Sequence, residues 1–155
     1  MAMGTLGISL PESLHAHVSD PSLKFRYCLN TSTISANNPG LLKYIEIASK
    51  AGYDGIEVWM RDVEDALKQG QSLSSIKQFT EDHGIVVENA IGFAPWLAEG
   101  ESGLAQMEGE MQMLAGIGCR RIAAPPAGLP SGKKLDFFVA GEKYRSLLDL
   151  GRSTG

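Results

Sequence analysis

The stretch Ala-Gly-Tyr-Asp-Gly-Ile-Glu-Val-Trp, residues 51–59, decides the fold of this 155-residue chain. Gly52 stands where the preceding helical pattern stops, and a glycine at that point can adopt the left-handed conformation that ends a helix. The run from Tyr53 to Trp59 contains aromatic and β-branched residues typical of a short strand. The stretch therefore predicts a helix, a tight turn and a strand in direct succession.

The same succession recurs along the chain. Strands are predicted at 26–34, 53–59, 85–91 and 119–124. Helices are predicted from the helix-start residues 37–39 to 51, at 62–68 and 73–83, around 104–114, and at 138–150. Ser72 is the expected cap of the 73–83 helix. In the last helix Tyr144, Leu147 and Leu148 form the predicted inward face.

The predicted helix-ending glycines are evenly spaced. Gly52, Gly84, Gly118 and Gly151 follow one another at steps of 32, 34 and 33 residues. A fixed step of this size indicates a repeated α/β unit. By this spacing a fifth strand is expected just after Gly155.

Short strands that alternate with helices predict an α/β fold with a parallel sheet. A flavodoxin-like open sheet is one alternative, but its strands are near-continuous apolar runs. Here Glu57 and either Glu88 or Asn89 interrupt the strands, which favours a barrel with polar groups in its lumen. A complete (β/α)₈ barrel needs about 250 residues. The sequence therefore predicts a parallel (β/α)₄ unit over residues 25–155, the first half of a TIM barrel, after an irregular leader at 1–24.

Composition and charge exclude several classes of protein. The chain is 43% hydrophobic and 21% charged, has a net charge of −4, and contains no apolar run near the ~20 residues of a membrane helix. The acidic balance opposes a nucleic-acid partner. Cys28 and Cys119 lack metal or redox spacing and are predicted to be small buried residues of a cytoplasmic protein. His15 and His17 are interpreted as exposed residues of the leader.

Candidate site residues follow from the rule that barrel sites gather at the C-terminal ends of the strands. That rule selects Asn30 with the following residues 31–33, and residues 57–61, 89–96 and 124–128. If Ile56 and Val58 face the helices, alternation turns Gly55, Glu57 and Trp59 toward the lumen. Glu57 is then either a site carboxylate or a hydrogen-bonded residue that orients its neighbours.

Other candidates leave alternatives open. In the third strand either Val87 and Asn89 or Val86 and Glu88 could face inward, and we favour Asn89. Trp59, Phe93 and Trp96 could form an apolar wall for a sugar or be packing groups. Arg120 and Arg121, at the entry end of the fourth strand, are predicted to be solvated. His83, at a helix end, assembles with nothing into a metal-ligand set.

Three phrases of the sequence, at 51–59, 83–96 and 118–128, together resemble the sugar phosphate isomerase/epimerase family, the xylose isomerase-like TIM barrels. The resemblance covers about residues 25–155. It implies a divalent metal (Mn, Mg, Zn or Co) that polarises a keto- or aldo-sugar, while carboxylates move a proton between adjacent carbons. The family's ligands, typically Glu, Asp, His and Glu, come from strands five to eight, so this chain is expected to hold no metal and no identifiable catalytic residue.

What the resemblance leaves to this chain is a substrate-binding wall. Its members are Asn30, Glu57, Trp59, Asn89 and Phe93. The chain is accordingly expected to be a truncated, inactive part of a sugar isomerase or epimerase. The alternative is a non-catalytic carbohydrate-binding half-barrel that dimerises through its open edges. An endonuclease-type relative is a third option, opposed by the acidic charge.

Overall fold

The structure, a computed structural model, describes residues 25–98 and 101–155. Its elements in chain order are β1 (Cys28–Asn30), a 3-10 helix (Thr31–Asn37), α1 (Leu41–Lys50), β2 (Gly55–Trp59), α2 (Met60–Lys68), α3 (Leu73–Asp82), β3 (Val86–Ile91), α4 (Ser102–Gly116), β4 (Ile122–Ala123) and α5 (Phe137–Thr154). The predicted leader, with His15 and His17, lies outside the described residues. None of the helices described could cross a membrane, by length and apolar character together.

The four strands form one parallel sheet in the order β1-β2-β3-β4. Each strand pairs with the next one in sequence, and at least one helix lies between them along the chain. This arrangement confirms the predicted parallel (β/α)₄ unit. Because the strands are parallel, their C-terminal ends meet at a single edge of the sheet, where the candidate residues were placed.

One face of the sheet is covered by the helices. Ile56, Val58 and Ala90 are fully buried there and pack with helical residues such as Ile45 and Ile76 in a single hydrophobic cluster. The opposite face, here called the lumen face, carries the alternate residues of each strand. Gly55, Glu57 and Trp59 alternate with Ile56 and Val58 and therefore lie on the lumen face, as the sequence predicts.

Local sequence explains where α3 begins. The Ser72 hydroxyl accepts a hydrogen bond from the Ser75 backbone N–H at 3.0 Å, and the Ser75 hydroxyl accepts one from the Ser72 backbone N–H at 2.9 Å. This reciprocal capping box satisfies two backbone donors that a helix start leaves open. The predicted cap at Ser72 is confirmed.

The first strand is much shorter than the predicted 26–34. The Asn30 side chain accepts a hydrogen bond from the Ser32 backbone N–H at 2.9 Å and caps the 3-10 helix that replaces the second half of the strand. Asn, Ser and Thr favour such local hydrogen bonds over a sheet ladder. The helix-start prediction at 37–39 also shifts, because Asn38 is left-handed, with φ of 39°, and α1 begins only after Gly40.

The bounds of β4 and α5, the last β/α unit, differ most from the predicted ones. The fourth strand holds only Ile122–Ala123 instead of residues 119–124, and α5 runs through Gly151 to Thr154 instead of ending before it. Of the three residues predicted to face inward from α5, only Leu147 is buried, since Tyr144 and Leu148 are 45% and 46% exposed. Both side chains line an open groove beside Ile122 of β4.

Candidate functional site

A row of three polar side chains crosses the lumen face at one level of the sheet. Glu57 is the pairing partner of Asn30 on β1 and of Asn89 on β3. The Asn89 side-chain amide donates to Glu57 Oε1 at 2.6 Å, and the Asn30 side-chain amide donates to Glu57 Oε2. Both carboxylate oxygens are therefore held by amides of adjacent strands. The prediction that Asn89 faces inward is confirmed, but Val87, its partner in that phase, packs in the core on the helix side.

The orientation of Asn30 is set by the turn that follows it. Its Oδ1 accepts from both the backbone N–H and the hydroxyl of Ser32, so its Nδ2 is the atom left to reach Glu57. The cap of the 3-10 helix thereby fixes which amide atom faces the carboxylate. A carboxylate aligned in this way can accept hydrogen bonds from the hydroxyls of a polyol that lies on the lumen face.

Neither of the two phases considered for β3 holds along the whole strand, because the strand contains a bulge that places Glu88 and Asn89 on the lumen face and Val87 on the helix side. The register shifts between Ile56 and Glu57: Ile56 pairs with Val87, whereas Glu57 pairs with Asn89. Glu88 is the extra residue, and such a residue re-aims the side chains of a strand. It also lies on the lumen face, where a side chain at Gly55 would come within 2.8 Å of its Cγ.

Below the row, Glu88 is the centre of an ion cluster. Its carboxylate pairs with Arg26, and with Arg121 at 2.9 Å. Arg121 is thus not merely solvated, although its side chain is 67% exposed. Cys28 is exposed on the same face, against the prediction that it is buried, while Cys119 is buried as predicted. Partial burial, then the charges of Glu57 and Glu88, raise the pKa of the Cys28 thiol to about 11.

An aromatic pair lies beyond Glu57 at the C-terminal edge of the sheet. The rings of Trp59 and Phe93 stack with centroids 5.8 Å apart and an interplanar angle of 29°. The Arg61 guanidinium lies 4.7 Å from the Trp59 ring centroid. Trp59 follows Glu57 by two residues on the same face, roughly 7 Å along the strand. Phe93 is 58% exposed, so an apolar surface stands open next to the polar row.

Trp96 does not belong to this wall. It is only 5% exposed and packs in a second hydrophobic cluster with Met107 and Leu147. Its indole N–H donates to the Pro125 carbonyl at 2.8 Å, and its ring lies against that of Tyr144, with centroids 5.9 Å apart. Of the two interpretations of this tryptophan, the packing one is correct.

Two glycines allow the segment between β3 and α4 to pack closely against neighbouring parts of the chain. A side chain at Gly103 would meet the carbonyl group of Pro95, 2.6 Å from its carbon, and the Cα of Trp96 at 3.0 Å. Gly128 has a φ of 92°, and a side chain there would come within 2.7 Å of Pro95. The Leu97 backbone N–H also donates to the Ala127 carbonyl at 2.9 Å. These close contacts and this hydrogen bond hold in place the segment that contains Phe93.

Two buried acids near the site were not predicted from the sequence. Asp62, in the first turn of α2, is 7% exposed, and Glu110, on α4, is 4% exposed. Glu110 accepts from Gln106 at 3.0 Å through one oxygen, and its other oxygen occupies the space that a side chain at Gly92 would need. Desolvation by burial raises the pKa of both carboxyls. Only the four-residue spacing to Gln106 could have signalled Glu110 in advance.

The buried position of Glu110 gives a pH-dependent prediction. Its pKa is raised in the folded state, first by burial and further by the charge of Glu64, so its effect on stability is most favourable below its unfolded pKa and is lost as the pH rises through the folded value. We expect the free energy of unfolding of Glu110→Gln, relative to the parent, to rise as the pH increases from about 4 to 8. Urea unfolding at several pH values measures this difference. A difference that stays constant over the range would contradict the prediction.

The donor set on the lumen face does not fit a divalent metal. In residues 25–98 and 101–155 there is no group of three or more His, Cys, Asp or Glu side chains that could hold an ion. The carboxylate of Glu88 is paired with two guanidinium groups, whose positive charge opposes a cation, and the amides of Asn30 and Asn89 face Glu57 through their N–H donors. A catalytic metal site needs about three protein ligands with an open position. These residues alone therefore supply no metal centre.

No protein-family model and no curated protein matches the chain. Solved structures do match it, and they are xylose isomerase-like TIM barrels. A xylose isomerase domain containing protein from Salmonella typhimurium LT2 has a TM-score of 0.71 at 17% identity, over 83% of this chain and 46% of that protein. The predicted resemblance is thus confirmed for the fold.

Two further structures carry names that describe a ligand or an activity. The IolI protein, with a bound zinc atom, has a TM-score of 0.70 at 20% identity, over 84% of this chain and 49% of that one. D-psicose 3-epimerase, in the presence of D-fructose, has a TM-score of 0.65 at 18% identity, over 84% of this chain and 50% of that one. The chain spans about half the length of each, so its four strands correspond to half of a TIM barrel.

Proposed function

We propose that this chain supplies the first four β/α units of a metal-dependent sugar (phosphate) isomerase or epimerase. Such an enzyme transfers a proton between adjacent carbons of a keto- or aldo-sugar. The observation that carries the proposal is the row in which Asn30 and Asn89 hold the carboxylate of Glu57 on the lumen face. The epimerase named among the similar folds supports the substrate class.

Within this proposal, five residues form the substrate wall: Asn30, Glu57, Trp59, Asn89 and Phe93. Glu57 accepts hydrogen bonds from sugar hydroxyls, and the two asparagines hold its orientation. Trp59 and Phe93 offer an apolar surface to the C–H face of the sugar, a use to which aromatic rings are suited. The two rings stack with centroids 5.8 Å apart beside the polar row, which supports their role as the apolar part of the wall.

The divalent metal (Mn, Mg, Zn or Co) of this enzyme is held by side chains outside the four strands. When bound it polarises the sugar carbonyl. The zinc atom of the IolI protein supports a metal in barrels of this kind. We place the enzyme in the cytoplasm, which is consistent with two free cysteines, Cys28 and Cys119.

The chain by itself is expected to show no isomerase or epimerase turnover. Among residues 25–98 and 101–155, no three His, Cys, Asp or Glu side chains come together that could hold a metal, so no group described here polarises the carbonyl. The test is incubation of the purified 155-residue chain with D-fructose and Mn²⁺ or Mg²⁺, followed by chromatography of the sugars. Formation of an epimer or an aldose above the protein-free blank would contradict this prediction.

The chain by itself is expected to bind sugar weakly, and this binding should depend on Glu57. A hydrogen bond to a charged acceptor contributes about 1.5–3 kcal/mol, so Glu57→Gln should weaken binding about tenfold or more. NMR titration with D-fructose, followed through the side-chain amide signals of Asn30 and Asn89, measures the change. Glu46→Gln, on the exposed side of α1, is the matched control and should bind as the parent does. Equal affinities for the two variants would remove Glu57 from the wall.

The second candidate function is a non-catalytic carbohydrate-binding half-barrel that dimerises. The observation that favours it is that β1 and β4 each pair on one side only among the described residues. Unpaired strand edges promote association. Sedimentation velocity tests this candidate: a half-barrel of this kind should sediment as a defined dimer, and a monomer would contradict it.

A further inference from the structure

The first turn of α5 carries a large apolar side chain on the outside of the protein. Phe138 is 89% exposed. By helical spacing it shares one side of α5 with Arg145 and Asp149, which are also exposed. The residues that α5 buries, Ala140 and Leu147, lie on the opposite side of the helix. Phe138 therefore lies on the side away from the sheet, where an extension of the sheet would not cover it.

Phe138 belongs to a surface that is both apolar and basic, here called the basic patch. Its members are Leu129, Lys133, Lys134, Phe138 and Val139. The three apolar members are exposed, and both lysines line a small cavity together with Leu129 and Val139. Lys133 and Lys134 form no salt bridge with any residue of 25–98 or 101–155. Their positive charge is therefore available to a partner.

A groove of opposite charge lies further along the same helix, between the start of α4 and the second half of α5. It has a volume of about 570 Å³. Its lining includes two leucines and three acids: Leu104, Leu150, Glu101, Glu108 and Asp149. Asp149 is paired with Arg152, whereas Glu101 and Glu108 have no cationic partner in the described part of the chain. We call this surface the acidic groove.

The basic patch and the acidic groove lie on the same side of α5, toward its opposite ends. Val139 of the patch recurs at helical spacing with Ser146 and Leu150 of the groove. Val139 and Leu150 are about 17 Å apart along the helix axis. Two copies of α5 laid side by side and antiparallel therefore bring each patch onto the groove of the other copy. A surface that complements itself in this way suits a two-fold dimer.

We propose that two copies of this chain form a two-fold dimer through the outer side of α5. Phe138 of each protomer enters the acidic groove of the partner, and Lys133 and Lys134 lie against the two unpaired glutamates of that groove. Burial of Phe138 and Val139 supplies apolar stabilisation, and the charges select the antiparallel orientation. The interface lies on the helix side of the sheet, so Glu57 on the lumen face stays open and the inference does not rest on the proposed function.

The first test is sedimentation velocity of the purified full chain at roughly 5–200 μM, where small interfaces associate. We expect a monomer–dimer equilibrium that weakens in about 0.5 M salt. Phe138→Asp should raise the dissociation constant about tenfold or more, because it removes the central apolar contact and adds a negative charge facing the acidic groove. Phe137→Asp is the matched control. Phe137 is 79% exposed but lies on the side of α5 that carries Tyr144, so this variant should dimerise as the parent does.

The second test exchanges the charges of the two surfaces. One variant carries Lys133→Glu and Lys134→Glu, and the other carries Glu101→Lys and Glu108→Lys. Each variant alone should dimerise about tenfold more weakly than the parent, because like charges then face one another. An equimolar mixture should form a heterodimer of near-parental affinity, since each reversed patch meets a reversed groove. Association through the strand edges of β1 and β4 would not show this pattern.

Several results would overturn the inference: a monomer at every concentration, equal effects of Phe137→Asp and Phe138→Asp, or no heterodimer in the mixture. A monomer that pellets with phosphatidylglycerol vesicles would assign the basic patch to a membrane surface instead, and would also overturn it. Titration of the same samples with D-fructose reports on the proposed function separately. Sugar binding without a dimer refutes the α5 interface alone, and a dimer without sugar binding refutes the substrate wall alone.

Discussion

Trp96→Ala is expected to lower the free energy of unfolding by about 3–5 kcal/mol, the usual cost of removing a buried aromatic side chain. The indole is 5% exposed and joins the segment after β3 to α4 and α5. Its loss leaves a cavity at Met107 and Leu147 and also frees the Pro125 carbonyl that accepts its N–H. Urea unfolding followed by far-ultraviolet circular dichroism measures the change without relying on tryptophan fluorescence.

Trp96→Phe separates the two contributions. The ring remains packed while the hydrogen bond to Pro125 is lost, so a smaller loss of about 1 kcal/mol is expected from that bond. If the alanine and phenylalanine variants are equally unstable, the hydrogen bond dominates and the packing argument is wrong. Trp59 is retained in both variants, and its fluorescence reports whether the stacking with Phe93 has changed.

Gly103→Ala is the second change expected to have a large effect. The added methyl group would overlap the Pro95 carbonyl group and approach the Trp96 Cα at 3.0 Å. Both are backbone atoms, so relief requires movement of the whole segment or of the start of α4. Overpacking of this kind costs about 1–3 kcal/mol, and more where the backbone cannot shift. The free energy of unfolding in urea gives the measurement.

Helix α4 also provides a control position, where a glycine-to-alanine substitution is expected to raise the free energy of unfolding. Gly109 lies in the interior of α4, and a side chain there meets nothing within 4 Å. Gly109→Ala should therefore stabilise the protein by about 0.5–1 kcal/mol, because alanine is the better helix former. Destabilisation by both substitutions would point to α4 as a whole, whereas opposite effects locate the constraint at Pro95.

Much of the architecture could be predicted because its signals are local. Gly52 and Gly84 both have positive φ, at 78° and 65°, as expected of glycines that end helices. The alternation around Glu57 correctly turned that residue to the lumen face. Gly151 shows the limit of this argument, since nothing in its neighbourhood forces the chain out of the helix and α5 continues through it.

The site was harder to predict because part of it depends on register. No alternation pattern reveals that Glu88 is an extra residue, because a bulge is defined by the strand beside it, in this case at Ile56 and Glu57. Trp96 was ambiguous for a related reason: its burial depends on Tyr144, which lies 48 positions further along the sequence. Glu110 was missed because a charged residue on a helix is usually exposed.

The bulge in β3 has a consequence for how this surface can change through evolution. Glu88 belongs to the arginine cluster and Asn89 to the amide row, although the two are neighbours in the chain. One strand thus contributes to two chemically separate layers. A substitution at Asn89 changes the hydrogen bonding of Glu57 and leaves the ion pairs of Glu88 with Arg26 and Arg121 in place. In the proposed substrate wall, the polar row can therefore vary while the neighbouring ion cluster is kept.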